Sequence, residues 1–245
     1  MSMKKIWLWM TFSIGVIFLL VGGGFYFWAS ESYEPTQLAI LAMESTVPMD
    51  GSDLLVFEPS NKESETGFIF YPGGKVDPSS YAALAQLIAD QGFTVIIVPM
   101  PLNLAVLDKD KAEVVMTQFD HIRHWAIGGH SLGGVMAASF AATHEDIEGV
   151  VLFASYPLDD ALKDSTVRVM SLYGSNDEVA DLNKVKTAVD LLPKETLLVE
   201  IKGGNHSQFG SYGHQDGDGK ASISETEQLE YAAHYTAQLL KLISE

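Results

Sequence analysis

Apolar positions along this chain fall into three patterns. The first is a single uninterrupted run from Ile6 to Trp28 that carries no charge. The second is a series of short runs rich in β-branched and aromatic residues: Leu54–Phe57, Gly67–Tyr71, Thr94–Val98, Trp125–Gly128, Val150–Phe153, Val167–Met170 and Leu197–Ile201. The third is a set of stretches with helical spacing, at Gln37–Met43, Tyr81–Ala89, Leu104–Phe119, Leu132–Ala142, Leu182–Leu192 and Ser224–Leu242. Strands that are apolar on both faces and alternate with helices predict an α/β domain. Its central sheet is mostly parallel and carries helices on both faces. In such a sheet a ligand sits beyond the carboxyl ends of the strands, so the residues there carry the functional reading.

The N-terminal run is long enough to change the picture. As a helix, Ile6–Trp28 spans about 35 Å, and a bilayer's hydrocarbon core is about 30 Å thick. Trp7 and Trp9 mark one end, and Tyr26 and Trp28 the other, as interfacial aromatic belts do. Lys4 and Lys5 precede it while Glu31 and Glu34 follow. The positive-inside rule then predicts a single-pass protein of the cell membrane with its body outside the cytoplasm. The competing reading is a cleaved signal peptide, with Gly22–Gly24 supplying small residues. The run is longer than an ordinary signal core, and no A-x-A-like site follows it. The expected organisation is an anchor over residues 1–30, a linker with a short helical segment over 31–53, and one catalytic domain over 54–245.

Composition narrows the chemistry. The chain has 245 residues and no cysteine, which excludes disulfides, thiolate metal sites and a cysteine nucleophile. The formal net charge is −17, and all the acidic residues lie from Glu31 onward. Such a body repels polyanions, so nucleic acid is not an expected partner.

One motif stands out at a predicted strand end. Gly129-His130-Ser131-Leu132-Gly133-Gly134 follows the strand Trp125–Gly128 and opens a helix. That is the context a G-x-S-x-G turn requires, with the serine exposed on a sharp bend and small residues on either side. The competing reading is a glycine-rich turn that only packs a helix on a sheet.

A serine nucleophile needs a base, and the base needs an orienting acid. Of seven histidines, His206 follows the strand Leu197–Ile201 at its carboxyl end, with His214 in reserve in the same loop. His121, His124, His144 and His234 lie elsewhere, and His130 sits inside the motif, where its ring flanks the serine and packs. For the acid, Asp177 lies in the loop after Val167–Met170, with Glu178 as the nearest substitute. The competing reading for Asp177 is a helix cap.

The order Ser131, Asp177, His206 places each candidate on the loop after a successive strand. From about Leu54 to the C-terminus the chain resembles the α/β-hydrolase superfamily. The resemblance rests on Tyr71-Pro72-Gly73-Gly74-Lys75-Val76, Gly129–Gly134, Gly174-Ser175-Asn176-Asp177 and Asn205-His206-Ser207-Gln208-Phe209-Gly210. It is similar to a group of small bacterial hydrolases of that fold. The resemblance implies an α/β-hydrolase fold, a Ser-His-Asp triad of Ser131, His206 and Asp177, and no cofactor or metal. It also implies an oxyanion hole made by the backbone N–H of Leu132 and of Gly74, with Lys75 close behind. Tyr71-Pro72 stands where many relatives have His-Gly.

The expected reaction is cleavage of an ester or related acyl bond through an acyl-enzyme. The same triad could serve acyl transfer, and the same fold could serve a non-catalytic binding protein. Only a short stretch separates Val150–Phe153 from Asp177, which leaves no room there for a large cap domain. An open site suits a small or surface-displayed ester. Residues 216–227 partly resemble a calcium loop, but Lys220 takes a liganding place and Ala221 replaces the glycine, so a polar loop is the preferred reading.

Overall fold

The computed structural model describes residues 3–47, 49, 51–60 and 64–245. It begins with a helix, α1 (Met3–Ser30). Most of its described side chains are exposed, with Phe18 at 73% and Leu19 at 76%, while Ala29 near its end is fully buried. It is the one helix among the described residues that is long and apolar enough to cross a membrane, over Ser13–Ser30. The side chains of Lys4 and Lys5, expected to flank it, lie outside the described part.

A short helix, α2 (Gln37–Ala42), precedes the sheet. The strands are β1 (Leu55–Phe57), β2 (Thr66–Tyr71), β3 (Thr94–Ile97), β4 (His124–His130), β5 (Ile147–Phe153), β6 (Arg168–Gly174) and β7 (Leu197–Ile201). They form one seven-stranded sheet in the order β1-β3-β2-β4-β5-β6-β7. Only β1 runs antiparallel, at the edge beside β3. The expected α/β-hydrolase architecture is therefore the observed one.

Strand alternation divides the core. Phe68, Phe70, Val95, Ile97, Val151 and Phe153 point to one face, beneath α3 (Ala82–Ala89) and α7 (Glu225–Ile243). Ile69, Tyr71, Ile96, Ile127, Val150 and Leu152 point to the other, beneath α4 (Ala112–Gln118) and α5 (Leu132–Ala141). Burial on both faces explains why these strands read as continuous apolar runs rather than alternating ones. The chain lays β3 outside β2 and then returns to place β4 on β2's other side. The loops after β2 and β4 therefore diverge around a crevice at the carboxyl edge, the switch point where such sheets bind ligands.

Most of the expected helices appear, with two adjustments. Leu182–Leu192 divides into α6 (Leu182–Thr187) and a 3-10 turn. The continuous helix expected over Leu104–Phe119 is not formed. Residues 101–107 are two 3-10 turns, Leu102 and Asn103 have φ of 52° and 53°, and α4 starts only at Ala112. The cause is Tyr71 at the end of β2. Its buried phenol donates to the Lys109 carbonyl at 2.7 Å and accepts the Ala112 N–H at 3.0 Å, which holds 104–111 as a loop and starts the helix after it.

Candidate active site

The crevice begins at Ser131. β4 ends at His130, α5 begins at Leu132, and Ser131 between them has φ 51° and ψ −121°. A side chain at such an angle is strained, and the surroundings must hold it there. The Ser131 N–H donates to the Phe153 carbonyl at 3.0 Å, and Ser155 Oγ donates to the Ser131 carbonyl at 2.8 Å. The flanking glycines permit the bend. A Cβ on Gly129 would lie 2.6 Å from the Tyr71 carbonyl, and one on Gly133 would run into the carbonyls of Tyr71 and Pro72.

Asp177 and His206 meet two strands away. His206 Nδ1 lies 2.8 Å from Asp177 Oδ2, and both side chains are buried, at 1% and 0% exposure. A carboxylate oxygen only accepts, so Nδ1 carries a proton, and in that tautomer Nε2 is the nitrogen left to accept. That Nε2 is buried and has no hydrogen-bond partner among the described residues. The other oxygen of Asp177 accepts the N–H groups of Val179 and Ala180, at 2.9 and 2.8 Å. Asp177 therefore both closes its own turn and orients a histidine.

Asp218 locks this corner, a role that the sequence did not suggest. Its Oδ1 accepts the N–H groups of His206 at 3.2 Å, Glu178 at 3.4 Å and Gly219 at 2.8 Å. Its Oδ2 accepts the N–H and the hydroxyl of Ser207, at 2.8 and 2.9 Å. One buried carboxylate thus joins the loops that carry Asp177 and His206. Asn205 adds a second tie, donating to the Gly219 carbonyl at 2.8 Å and exchanging two hydrogen bonds with Gln228 of α7.

His130 connects the two halves of the crevice. Its ring centroid lies 4.4 Å from that of His206. Its Nδ1 is 2.9 Å from the Tyr81 hydroxyl, which also accepts the Gly73 N–H at 3.0 Å. With its acceptor capacity turned toward Gly73, the phenol gives its proton to Nδ1. Burial pushes the Tyr81 phenol far above its usual range, so it remains a donor. Burial pushes His130 well below the usual imidazole value, and the neighbouring His206 pushes the same way, against a weaker pull from the His206 backbone. His130 is accordingly a neutral spacer between Ser131 and the Gly73 loop.

That loop contains the other expected residue. The Gly73 N–H is taken by Tyr81, and the Lys75 N–H is taken by the Asn103 carbonyl at 2.8 Å. The Gly74 N–H between them makes no hydrogen bond among the described residues. Gly74 also lies against Leu132, since a Cβ there would be 3.1 Å from Leu132 Cδ2.

The remaining candidates fall away from the crevice. His214 and Glu178 are exposed. His124 faces Glu148 at 3.0 Å, His144 faces Glu113 at 2.8 Å and stacks on Phe140, and His234 contacts Gln238 within its helix. No cluster of three or more His, Asp or Glu able to hold a metal occurs among the described residues.

A mostly parallel sheet with a strained serine elbow at its switch point and a buried Asp–His pair on the loops after β6 and β7 has the form of an α/β-hydrolase. The profile of the Alpha/beta hydrolase family matches residues 67–230, and the chain belongs to that family. No curated protein matches the sequence significantly. Solved structures that share its fold include three esterases. A thermophilic esterase from Thermogutta terrifontis superposes with a TM-score of 0.58 at 16% identity, covering 80% of this chain and 93% of that one. Est1E from Butyrivibrio proteoclasticus, solved with ferulic acid bound, has a TM-score of 0.61 at 14% identity, covering 81% and 98%. An esterase domain from Rhodothermus marinus has a TM-score of 0.58 at 10% identity, covering 76% and 92%.

Proposed function

We propose that this chain is a membrane-anchored serine hydrolase that cleaves a carboxylic ester or related acyl bond. The observation that carries the reading is the buried pair His206 Nδ1–Asp177 Oδ2 at 2.8 Å, with Nε2 unpartnered among the described residues and the ring 4.4 Å from that of His130, the residue before Ser131. His130 Nε2 is also buried without a partner among the described residues, but there Nδ1 accepts from Tyr81 and Nε2 holds the proton, so His206 is the one of the two whose open nitrogen can receive a proton.

In this reading His206 Nε2 takes the Ser131 Oγ proton as Oγ attacks the acyl carbon. The N–H groups of Leu132 and Gly74 receive the oxyanion, and Asp177 steadies the imidazolium. The alcohol leaves with the proton from Nε2, giving an acyl-serine. Water then attacks that ester with His206 again as base, and the acid departs as Ser131 regains its proton. The α1 run serves as an uncleaved anchor that holds the domain at the outer face of the membrane. Its span Ser13–Ser30 is apolar and 6% buried, as a membrane-crossing helix would be, and its flanking charges set the orientation.

The test is covalent labelling of the full chain in detergent by a fluorophosphonate, alongside Ser131→Ala. Labelling of the first alone is expected. Equal labelling of both would assign the wrong serine, and no labelling of folded protein would remove the hydrolase reading.

A further inference from the structure

The chain between α1 and α2 is a strap fastened across the crevice. The Tyr33 N–H donates to the Lys75 carbonyl at 2.7 Å, and the Asp77 N–H donates to the Tyr33 carbonyl at 3.0 Å. Three residues later the Thr36 N–H donates to the Ser211 carbonyl at 2.8 Å. One fastening is on the loop that contains Gly74, and the other is on the loop that follows His206. The Tyr33 ring packs 5.5 Å from Tyr212, whose ring lies 6.3 Å from His130.

The end of α1 is fastened to the same loop. Lys75 Nζ sits 4.6 Å from the centre of the Trp28 ring, and Ala29 is fully buried. From Ser30 to Tyr33 the chain can reach roughly 10 Å at most. The catalytic edge therefore has no free tether and lies within one short reach of the helix end. Trp28, together with Tyr26, belongs at head-group depth in a bilayer. The Lys75 side chain is level with Trp28, and Gly74 is its neighbour.

The exposed apolar residues on the loops at this edge agree. Val106 and Leu107 follow the turn that accepts Lys75, Leu158 follows β5, and Val179 adjoins Asp177, with exposures of 55%, 48%, 67% and 38%. Counted from Glu31 onward the chain has 13 basic and 32 acidic residues, a net −19. That charge opposes an anionic lipid surface and leaves a zwitterionic or neutral one.

We infer that the catalytic crevice opens onto the bilayer, and that its substrate is an ester carried by an amphiphile seated in that membrane, with the scissile bond at head-group depth. This rests on the anchored-hydrolase reading above and adds the direction from which substrate arrives.

The test uses the full chain in phosphatidylcholine vesicles and has two arms. The chain lacks cysteine, so single fluorophores can be placed by Leu107→Cys at the crevice edge and Glu195→Cys at the opposite edge, just before β7. Head-group nitroxide lipid should quench the first at least about threefold more than the second. Equal quenching, or stronger quenching at 195, overturns the orientation. The second arm compares a water-soluble butyryl ester with the same ester on an alkyl-anchored alcohol in the vesicles, with rates expressed per serine titrated by fluorophosphonate. A flexible insert of about 20 residues between Ser30 and Glu31 allows the domain to drift by roughly 25 Å. The embedded-ester rate should fall about tenfold while the soluble-ester rate stays within about twofold. An unchanged ratio overturns the substrate class. If no serine titrates while the quenching difference persists, the hydrolase reading and the substrate class fail together and the orientation stands.

Discussion

The two sides of the crevice are built on opposite principles. The acid–base side is a network of charge-assisted hydrogen bonds. Asp177 and Asp218 between them accept seven N–H donors and one hydroxyl, all from the loops they tie together. The nucleophile side is held by backbone packing. Ser131 and Lys75 have positive φ angles, Gly129 and Gly133 leave no space for a Cβ, and the N–H of Gly74 is unpaired among the described residues. The carboxylates of one side are fully engaged, with only His206 Nε2 left open, and the other side is strained. Under the proposed mechanism, that difference would suit a histidine whose orientation must not vary and a serine whose surroundings must receive a new charge.

Substitutions can break each side in its own manner. The largest effect is expected at the chemistry itself: Ser131→Ala and His206→Ala should each lower kcat by about 10⁴-fold or more on any ester the enzyme turns over. The double variant should be little worse than either, and additive losses would show that the two residues do not act together. Next comes Gly133→Ala. The new methyl would meet the Tyr71 and Pro72 carbonyls, and the expected cost is about 3 kcal/mol or more in urea unfolding. A loss under about 1 kcal/mol would mean that the elbow is looser than its contacts indicate.

Asp218→Asn probes the satisfied side. An amide places a donor where only donors point inward, so stability should fall by about 2 kcal/mol. Because the His206 backbone shifts while the crevice stays open, kcat should fall about tenfold with KM nearly constant. A change confined to KM would contradict a positioning role.

The smallest effect concerns His130 and pH. Buried and neutral in the fold, it has a pKa well below 6.5, whereas the unfolded chain protonates it near 6.5. Below that pH the unfolded state gains a proton that the folded state refuses. Stability is complete above 6.5 and falls by up to about 1.4 kcal/mol per pH unit until the folded pKa is passed. His130→Asn keeps an acceptor for Tyr81 and removes the titration, so its melting temperature should decline less between pH 7 and 5. Parallel declines would assign the acid sensitivity elsewhere.

What the sequence made legible follows the same division. The strands could be read because burial on both faces writes itself as short apolar runs, and the positions of Ser131, Asp177 and His206 after successive strands could be read with them. Whether Gly74 or Lys75 offers a free N–H could not be read, since it depends on Asn103 claiming Lys75 from another loop. The helix predicted from Leu104 was misread because Tyr71, far earlier in the chain, pins Lys109 and Ala112. Asp218 sat in a stretch that resembled a calcium loop, and its partners come from three separate segments. Tyr33 and Thr36 belong to a short segment with no periodicity at all, and only their distant acceptors give them meaning.

The strap also sets the order of assembly. Tyr33 waits for Lys75, and Thr36 waits for Ser211, which is made when most of the chain has already been synthesised. Contacts between such distant residues are slow to form and come after local ones. During synthesis, at about 5–20 residues per second, the helix and the first strands emerge well before the loop that receives Thr36. The crevice is therefore the last part of the protein to be completed. On the proposed mechanism, a nascent or truncated chain that lacks the segment carrying His206 and Asp218 would be inert.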